Sequence, residues 1–161
     1  MITVRRATPL DAPPMADLLN EIVGEGGTTA RTEPIARREI AQMMANALDR
    51  SAWHVALNRE GALRGFQYIR PIPDLPPEAC DIATFVKVGK TGLGIGSALF
   101  SATAKAAKAM GYVWINANIR ADNEGGLIYY QSRGFRDYAR REDVTLASGQ
   151  RVDKILKRYD I

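Results

Sequence analysis

Three glycines spaced by single residues, Gly92, Gly94 and Gly96, follow the apolar stretch that ends at Val88 and lead into a run of helix-forming residues. Glycine at these positions leaves the backbone open to a ligand. A helix starting there offers unpaired N–H groups and its positive dipole end. Phosphate binding is the chemistry such an arrangement offers. Two nucleotide patterns come close and both break. A P-loop ending in Gly89-Lys90-Thr91 needs glycine where Thr84 stands, and Gly92 and Gly94 would interrupt the helix that should begin at the lysine. A dinucleotide fingerprint from Gly92 needs glycine in place of Ser97, and one from Gly94 needs it in place of Leu99. An ordinary glycine-rich strand-to-helix connection is the plain alternative. Cys80 has no activating partner near it in sequence and reads as a packed thiol rather than a nucleophile. His54, the only histidine, sits between Trp53 and Val55 in a strand and reads as structural. No metal is expected.

The elements around this turn follow from residue periodicity. Ile2 to Ala7 alternates as a strand. Asp11 is the expected cap of a helix with Pro13 and Pro14 in its first turn and Met15, Leu18, Leu19 and Ile22 on one face. A glycine-rich loop follows, and Thr32-Glu33-Pro34 opens a second helix with an apolar stripe of Ile40, Met43, Met44, Ala47 and Leu48. Trp53, Val55 and Leu57 alternate on one side of a strand, which turns at Asn58-Arg59-Glu60-Gly61 into a second strand from Ala62 to Arg70. The proline-rich segment 71–77 is a loop. A strand from about Asp81 to Val88 enters the glycine turn. The helix after it turns Ile95, Leu99, Ala102, Ala106 and Met110 inward, and Gly111 stops it. Tyr112 to Ile119 is a central strand, Asp122-Asn123 caps a short helix, and two strands around Ser148-Gly149-Gln150 close the chain. Gly125-Gly126 is a weak point in that short helix. The result is one α/β, or layered α+β, domain over residues 1–161. It has a mixed sheet of about seven strands and about four helices.

Composition narrows the classes. Hydrophobic residues at 46% and charged residues at 25% fit a folded globular domain rather than a disordered chain. No apolar run reaches the roughly 20 residues of a membrane span, so no membrane is expected as a partner. A net charge of +4 favours a polyanionic ligand, but basic residues are dispersed, without the block that nucleic acid would call for. Met1 to Arg6 lacks a signal-peptide apolar segment, and one cysteine excludes an internal disulfide. The expected location is cytoplasmic.

Thr91-Gly92-Leu93-Gly94-Ile95-Gly96 resembles the coenzyme A pyrophosphate motif Q/R-x-x-G-x-G/A of the GNAT superfamily of N-acyltransferases, with Thr91 in place of the long donor. Asn123-x-x-Gly126-x-x-Tyr129-Tyr130-x-x-x-Gly134-Phe135 is similar to the family's second motif, in the right order and spacing. The element order is also that of the family. Short stretches, Asn20 to Val23 with Thr28 to Ala30, and Asp153, look like the phosphinothricin acetyltransferase branch.

The resemblance implies an N-acetyltransferase. It would move an acetyl group from acetyl-CoA to the primary amine of a small, amino-acid-like molecule by direct attack. It implies that the main chain of Phe85, Val86, Lys87 and Val88 pairs with the pantetheine arm, with Val86 N–H facing the thioester oxygen. It places the pyrophosphate on the N–H groups of Gly92, Leu93, Gly94, Ile95, Gly96 and Ser97, beside Thr91 and Asn123. Tyr130 would protonate the departing thiolate, with Tyr129 turned to packing because helical neighbours point about 100° apart. Asp81 matches a carboxylate position and would take the amine proton, directly or through water. Glu21, Glu25 and Thr28 fall where that branch binds its substrate. A homodimer through the C-terminal strands is implied too. A non-catalytic acyl-CoA sensor of the same fold, and a protein N-terminal or lysine acetyltransferase, are the alternatives.

Overall fold

The computed structural model describes residues 1–87, 89 and 94–161. Val88, Thr91, Gly92 and Leu93 of the expected cofactor turn lie outside the described residues. The chain runs β1 (Thr3–Arg6), α1 (Ala12–Glu25), α2 (Arg37–Ala45), β2 (Ala52–Leu57), β3 (Leu63–Arg70), β4 (Ala79–Val86), α3 (Ile95–Ala109), β5 (Trp114–Arg120), α4 (Glu124–Ser132), β6 (Arg136–Thr145) and β7 (Arg151–Asp160). The strands form one seven-stranded sheet in the order β1-β2-β3-β4-β5-β7-β6. Every neighbouring pair is antiparallel except β4 and β5. Among the described residues no helix is long and apolar enough to cross a membrane.

Helices cover both faces. Met15, Leu19 and Ile40 from α1 and α2 share one core with Val55, Phe66 and Tyr68. Phe100 and Ala107 of α3 and Tyr130 of α4 share the other with Ile69, Ile82 and Ile115. This double cover makes the whole of Ala52–Ala56 buried, where alternation predicts one inward face only. Gly65 leaves room for α3 against the sheet: a Cβ there would stand 3.0 Å from both Ile95 Cγ2 and Phe85 O.

Three local expectations are corrected. Asp11 does not cap α1 with its side chain. Its carboxylate instead takes two hydrogen bonds from Arg5, at 2.8 and 2.9 Å, and the Thr8 N–H at 2.7 Å. These bonds, led by Arg5, hold it below the usual carboxylate range. Helix α2 starts at Arg37, with Glu39 Oε1 accepting from Ala36 N–H at 3.1 Å. It ends at Ala45, so Ala47 and Leu48 leave the stripe and are exposed. On α3 the inward stripe is Ile95, Leu99, Phe100, Thr103 and Ala107. It is rotated toward Phe100, whose ring packs on Phe135 and Tyr159 at 5.4 and 5.1 Å.

Candidate active site

The site begins with a failure of strand pairing. β4 and β5 run parallel and pair only at Ala79↔Trp114, Cys80↔Ile115 and Asp81↔Asn116. Beyond Asp81 the two strands part. On its other edge β4 keeps continuous antiparallel register with β3 as far as Gly65↔Val86. Lys87 N–H donates to Arg64 O at 2.8 Å, and Val113 N–H donates to Glu78 O at 2.8 Å. Main-chain groups alternate sides along a strand. Odd-numbered residues of β4 therefore face β3, and even-numbered residues face β5. The N–H and C=O groups of Thr84 and Val86 point into the opening, where among the described residues no strand meets them.

This corrects two of the four main-chain assignments. Phe85 and Lys87 direct their backbone groups to β3 and are not free for a pantetheine arm. Val86 faces the opening, and Thr84, which sequence reasoning missed, faces it as well.

At the end of the opening stands the first turn of α3. Gly94 is its N-cap, at φ +80, ψ 4, with no side-chain cap. A Cβ at Gly94 would meet none of the described residues within 4 Å. The first helical amide with an intrahelical acceptor is Ala98 N–H, bonded to Gly94 O at 3.0 Å. The amides of Ile95, Gly96 and Ser97 precede it and carry the helix's positive end. Gly96 has a different role from the one its spacing suggests. A Cβ there would lie 2.6 Å from Tyr129 Cε1, so its bareness makes room for that ring rather than for a ligand.

Tyr130 is buried, its ring edge-on to Phe135 at 5.1 Å. Its hydroxyl lies 2.8 Å from Thr84 Oγ1. Tyr129 donates its hydroxyl proton to Gly96 O at 2.8 Å. Gln67 Nε2 donates to both Thr84 Oγ1, at 2.9 Å, and the Tyr129 hydroxyl, at 3.0 Å. Tyr129 thus packs as expected, and its hydroxyl also reaches the cluster that holds Tyr130. Side-chain length overcomes the angle between helical neighbours. Burial pushes both phenols up, Tyr130 the more strongly.

Asp81 lies on the opposite face of the sheet, where the strands begin to part. Asn116 Nδ2 donates to its Oδ1 at 2.9 Å, and the Tyr138 hydroxyl holds the Asn116 oxygen in turn. Burial raises the Asp81 carboxyl to about 6, while the Asn116 bond and the charges of Arg70 and Lys154 hold it down. Cys80 and His54 sit in the interior. Burial lifts the thiol to about 12 and lowers the imidazole to about 4, with Arg6 adding to the latter.

The loop between α1 and α2 is fastened to the β5–α4 corner. Arg120 pairs with Asp122 and donates to Thr29 O at 3.1 Å. Asn123 accepts Gly126 N–H at 3.0 Å and donates to Thr28 O at 2.9 Å. Asn123 therefore caps α4 and holds the Thr28 carbonyl, with one amide N–H and one oxygen lone pair still unused among the described residues. Glu21 is paired with Lys87 at 3.2 Å, and Glu25 is exposed at the end of α1.

These contacts also settle the glycine pair. A Cβ at Gly125 would have only Asn123 Oδ1 near it, at 3.9 Å, whereas one at Gly126 would stand 2.5 Å from Asn123 Nδ2 and 3.0 Å from its Cγ. Gly125→Ala should stabilise the protein by about 0.4–1 kcal/mol. Gly126→Ala should cancel that gain by displacing the cap, a loss of about 1 kcal/mol. Urea titration of the two variants reads the difference.

The profile of the Acetyltransferase (GNAT) family matches residues 16–135, and the chain belongs to that family. It is 25% identical over 136 residues to the phosphinothricin N-acetyltransferase of Streptomyces viridochromogenes, covering 83% of this chain and 74% of that protein. Its fold matches a GNAT-superfamily phosphinothricin acetyltransferase from Sinorhizobium meliloti, solved in complex with AcCoA. The TM-score is 0.89 at 20% identity, over 99% of this chain and 88% of that one. It matches a ribosomal-protein-alanine N-acetyltransferase from Brucella melitensis at TM-score 0.87 and 21% identity, over 99% of each chain.

Proposed function

We propose that the protein transfers the acetyl group of acetyl-CoA to the primary amine of a small, amino-acid-like molecule by direct attack. The observation that carries this reading is the opening beside β4. Main-chain groups of Thr84 and Val86 that no described strand pairs line it, with Asp81 on one face of the sheet and Tyr130 on the other. The amine approaches from the Asp81 face, and the leaving sulfur is met from the Tyr130 face.

The residues divide the work. The amides of Ile95, Gly96 and Ser97 receive the pyrophosphate at the start of α3. Val86 N–H donates to the carbonyl oxygen as it gains negative charge, a contribution of about 2.7–4 kcal/mol in comparable sites. Asp81 takes a proton from the amine. Asp81 and Val86 are five residues apart, about 17 Å along the strand, so that proton travels through water. Tyr130 supplies a proton to the sulfur as the C–S bond breaks. The products are an amide and a free thiol. Arg70, Lys154 and Arg31 act on the Asp81–Tyr68 neighbourhood and suit an acceptor that carries a carboxylate near its amine.

Acetyl-CoA at a hundredfold excess over Kd should add about 2.7 kcal/mol of stability. That raises the melting temperature by about 5–10 °C. NADH and ATP should do so much less. Thiol release from acetyl-CoA, followed with a thiol-reactive dye, should then pick acceptors from a panel of L-amino acids, phosphinothricin and simple primary amines. A larger shift with ATP than with acetyl-CoA would overturn the cofactor assignment. A clear acetyl-CoA shift without thiol release for any amine, or for a peptide with a free N-terminus, would make the protein an acyl-CoA-binding module.

The homodimer belongs to the same proposal. The edge strand β6 is exposed along nearly its whole length and carries Arg136, Asp137, Arg140, Arg141, Glu142 and Asp143. Such an edge resists plain strand addition. A pair formed there would be held by charge and weakened by salt, which light scattering at two ionic strengths would show.

A further inference from the structure

Gln67 is fully buried in the middle of β3, and its polar end is not explained by packing. Its hydrogen bonds have a direction that one backbone carbonyl settles. Gly96 O can only accept, so the single hydroxyl proton of Tyr129 goes to it. The Tyr129 oxygen must then accept from Gln67, which makes the Gln67 atom at that contact the amide nitrogen rather than the oxygen. The same nitrogen donates its other proton to Thr84 Oγ1.

Thr84 and Tyr130 are left with two hydroxyl protons and one contact between them, at 2.8 Å. One proton is surplus to the cluster. An oxygen that accepts a hydrogen bond becomes a stronger donor, which favours the direction from Gln67 N–H through Thr84 O–H to the Tyr130 oxygen. The surplus proton is then that of Tyr130.

We infer that Gln67 and Thr84 are positioning residues, which fix the Tyr130 oxygen as an acceptor within the cluster and turn its proton outward to the leaving sulfur. The inference rests on the reading of Tyr130 as the proton donor. As that proton departs, the Thr84 hydroxyl is already aimed at the oxygen that gains charge. A buried phenol needs such support, because an unassisted phenolate there would be costly.

The test is a double-mutant cycle on the full chain, assayed with acetyl-CoA and the panel amine that gives the fastest thiol release. Thr84→Val keeps the branched shape and removes the hydroxyl. It should lower kcat about 10-fold or more, a share of the about 10²–10⁴-fold that acid–base catalysis supplies. KM for acetyl-CoA should stay within about twofold, because the contact matters only as the sulfur leaves. Thr84→Ser should restore most of the loss. In a Tyr130→Phe background, Thr84→Val should cost almost nothing further. Gln67→Leu, which removes the upstream donors, should repeat this pattern if Thr84→Val does not fold. An unchanged kcat in Thr84→Val overturns the inference, and so does an equal loss with and without the Tyr130 hydroxyl. A loss confined to KM, or a Thr84→Ser variant as slow as Thr84→Val, does the same. The single Tyr130→Phe variant separates the two levels. If it is silent, the reading of Tyr130 fails first; if it is slow while the cycle is additive, only the positioning role fails.

Discussion

Tyr130→Phe should lower turnover about 10²–10⁴-fold, the range that general acid–base catalysis supplies, while affinity for acetyl-CoA barely changes. The ring is retained against Phe135 and Tyr129, at 5.1 and 4.9 Å, so the core of α4 survives the substitution. Only the hydroxyl beside Thr84 is lost, at a stability cost of about 0.5–1.5 kcal/mol. Burial holds the phenol above its usual value, so it stays protonated through the working range and the alkaline limb of a pH profile does not belong to it. Tyr129→Phe is the informative comparison. It removes the bond to Gly96 O in the first turn of α3, so its effect should fall on cofactor affinity rather than on kcat. Steady-state kinetics with both substrates varied resolves the two. Equal kcat losses in both variants, or a Tyr130 loss expressed wholly as weaker cofactor binding, would remove Tyr130 from the reaction.

The order of elements was legible because each carries its own local signal. Alternation marked β1 and β2, the turn at Asn58–Gly61 led into β3, glycines bounded α3, and Asn123 does cap α4, as its side-chain type suggests. Misread details lie where a distant neighbour decides. Asp11 looks like a cap until Arg5 is folded beside it. Leu48 continues a helical stripe only if the helix continues, and it ends at Ala45. The rotation of the α3 stripe toward Phe100 depends on Tyr159, which arrives from the far end of the chain.

The site was legible as motifs and not as geometry. Gly94 shows why: its left-handed backbone is what the glycine was needed for, and a Cβ there would meet none of the described residues. Gly96 sits in the same motif and answers to Tyr129 instead. Register is the larger gap. Phe85 and Val86 are adjacent in sequence, yet their backbone groups face opposite strands, and only pairing with β3 decides which is free. Gln67 and Thr84 gave a weak signal, single polar residues in the apolar runs Phe66 to Ile69 and Ile82 to Val86. Their meaning depends on Tyr130, 46 positions after Thr84. Asn116 reaches Asp81 from the neighbouring strand β5, and Tyr138 reaches Asn116 from β6, contacts that no local pattern reveals.

Asp81→Asn should make the protein more stable and much less active. The folded carboxyl titrates at about 6 against an ordinary 3.8, with burial as the main cause. Between those values the native state holds the proton and the unfolded chain does not. Stability carried by Asp81 is therefore full below pH 3.8 and is lost as pH rises to about 6. At pH 7 the ionised group costs about 1–3 kcal/mol, and a neutral amide of the same shape removes that cost while still accepting from Asn116. His54 works in the opposite direction. Its imidazole is pushed down to about 4, so it stabilises at neutral pH and that stability is lost as pH falls from 6.5 toward 4. Because His54 is present in both proteins, the difference between variant and wild type isolates Asp81. That difference should be largest above pH 6 and should vanish below about pH 4. Wild-type kcat/KM should fall about tenfold per pH unit below about 6, as the base is protonated, and the variant should lose about 10²–10⁴-fold at pH 7. A variant that gains stability but keeps its activity would leave Asp81 as a buried carboxylate outside the reaction and move the proton acceptor elsewhere. One that loses activity with no gain in stability would mean the carboxylate is neutralised in the native state by the cations around it.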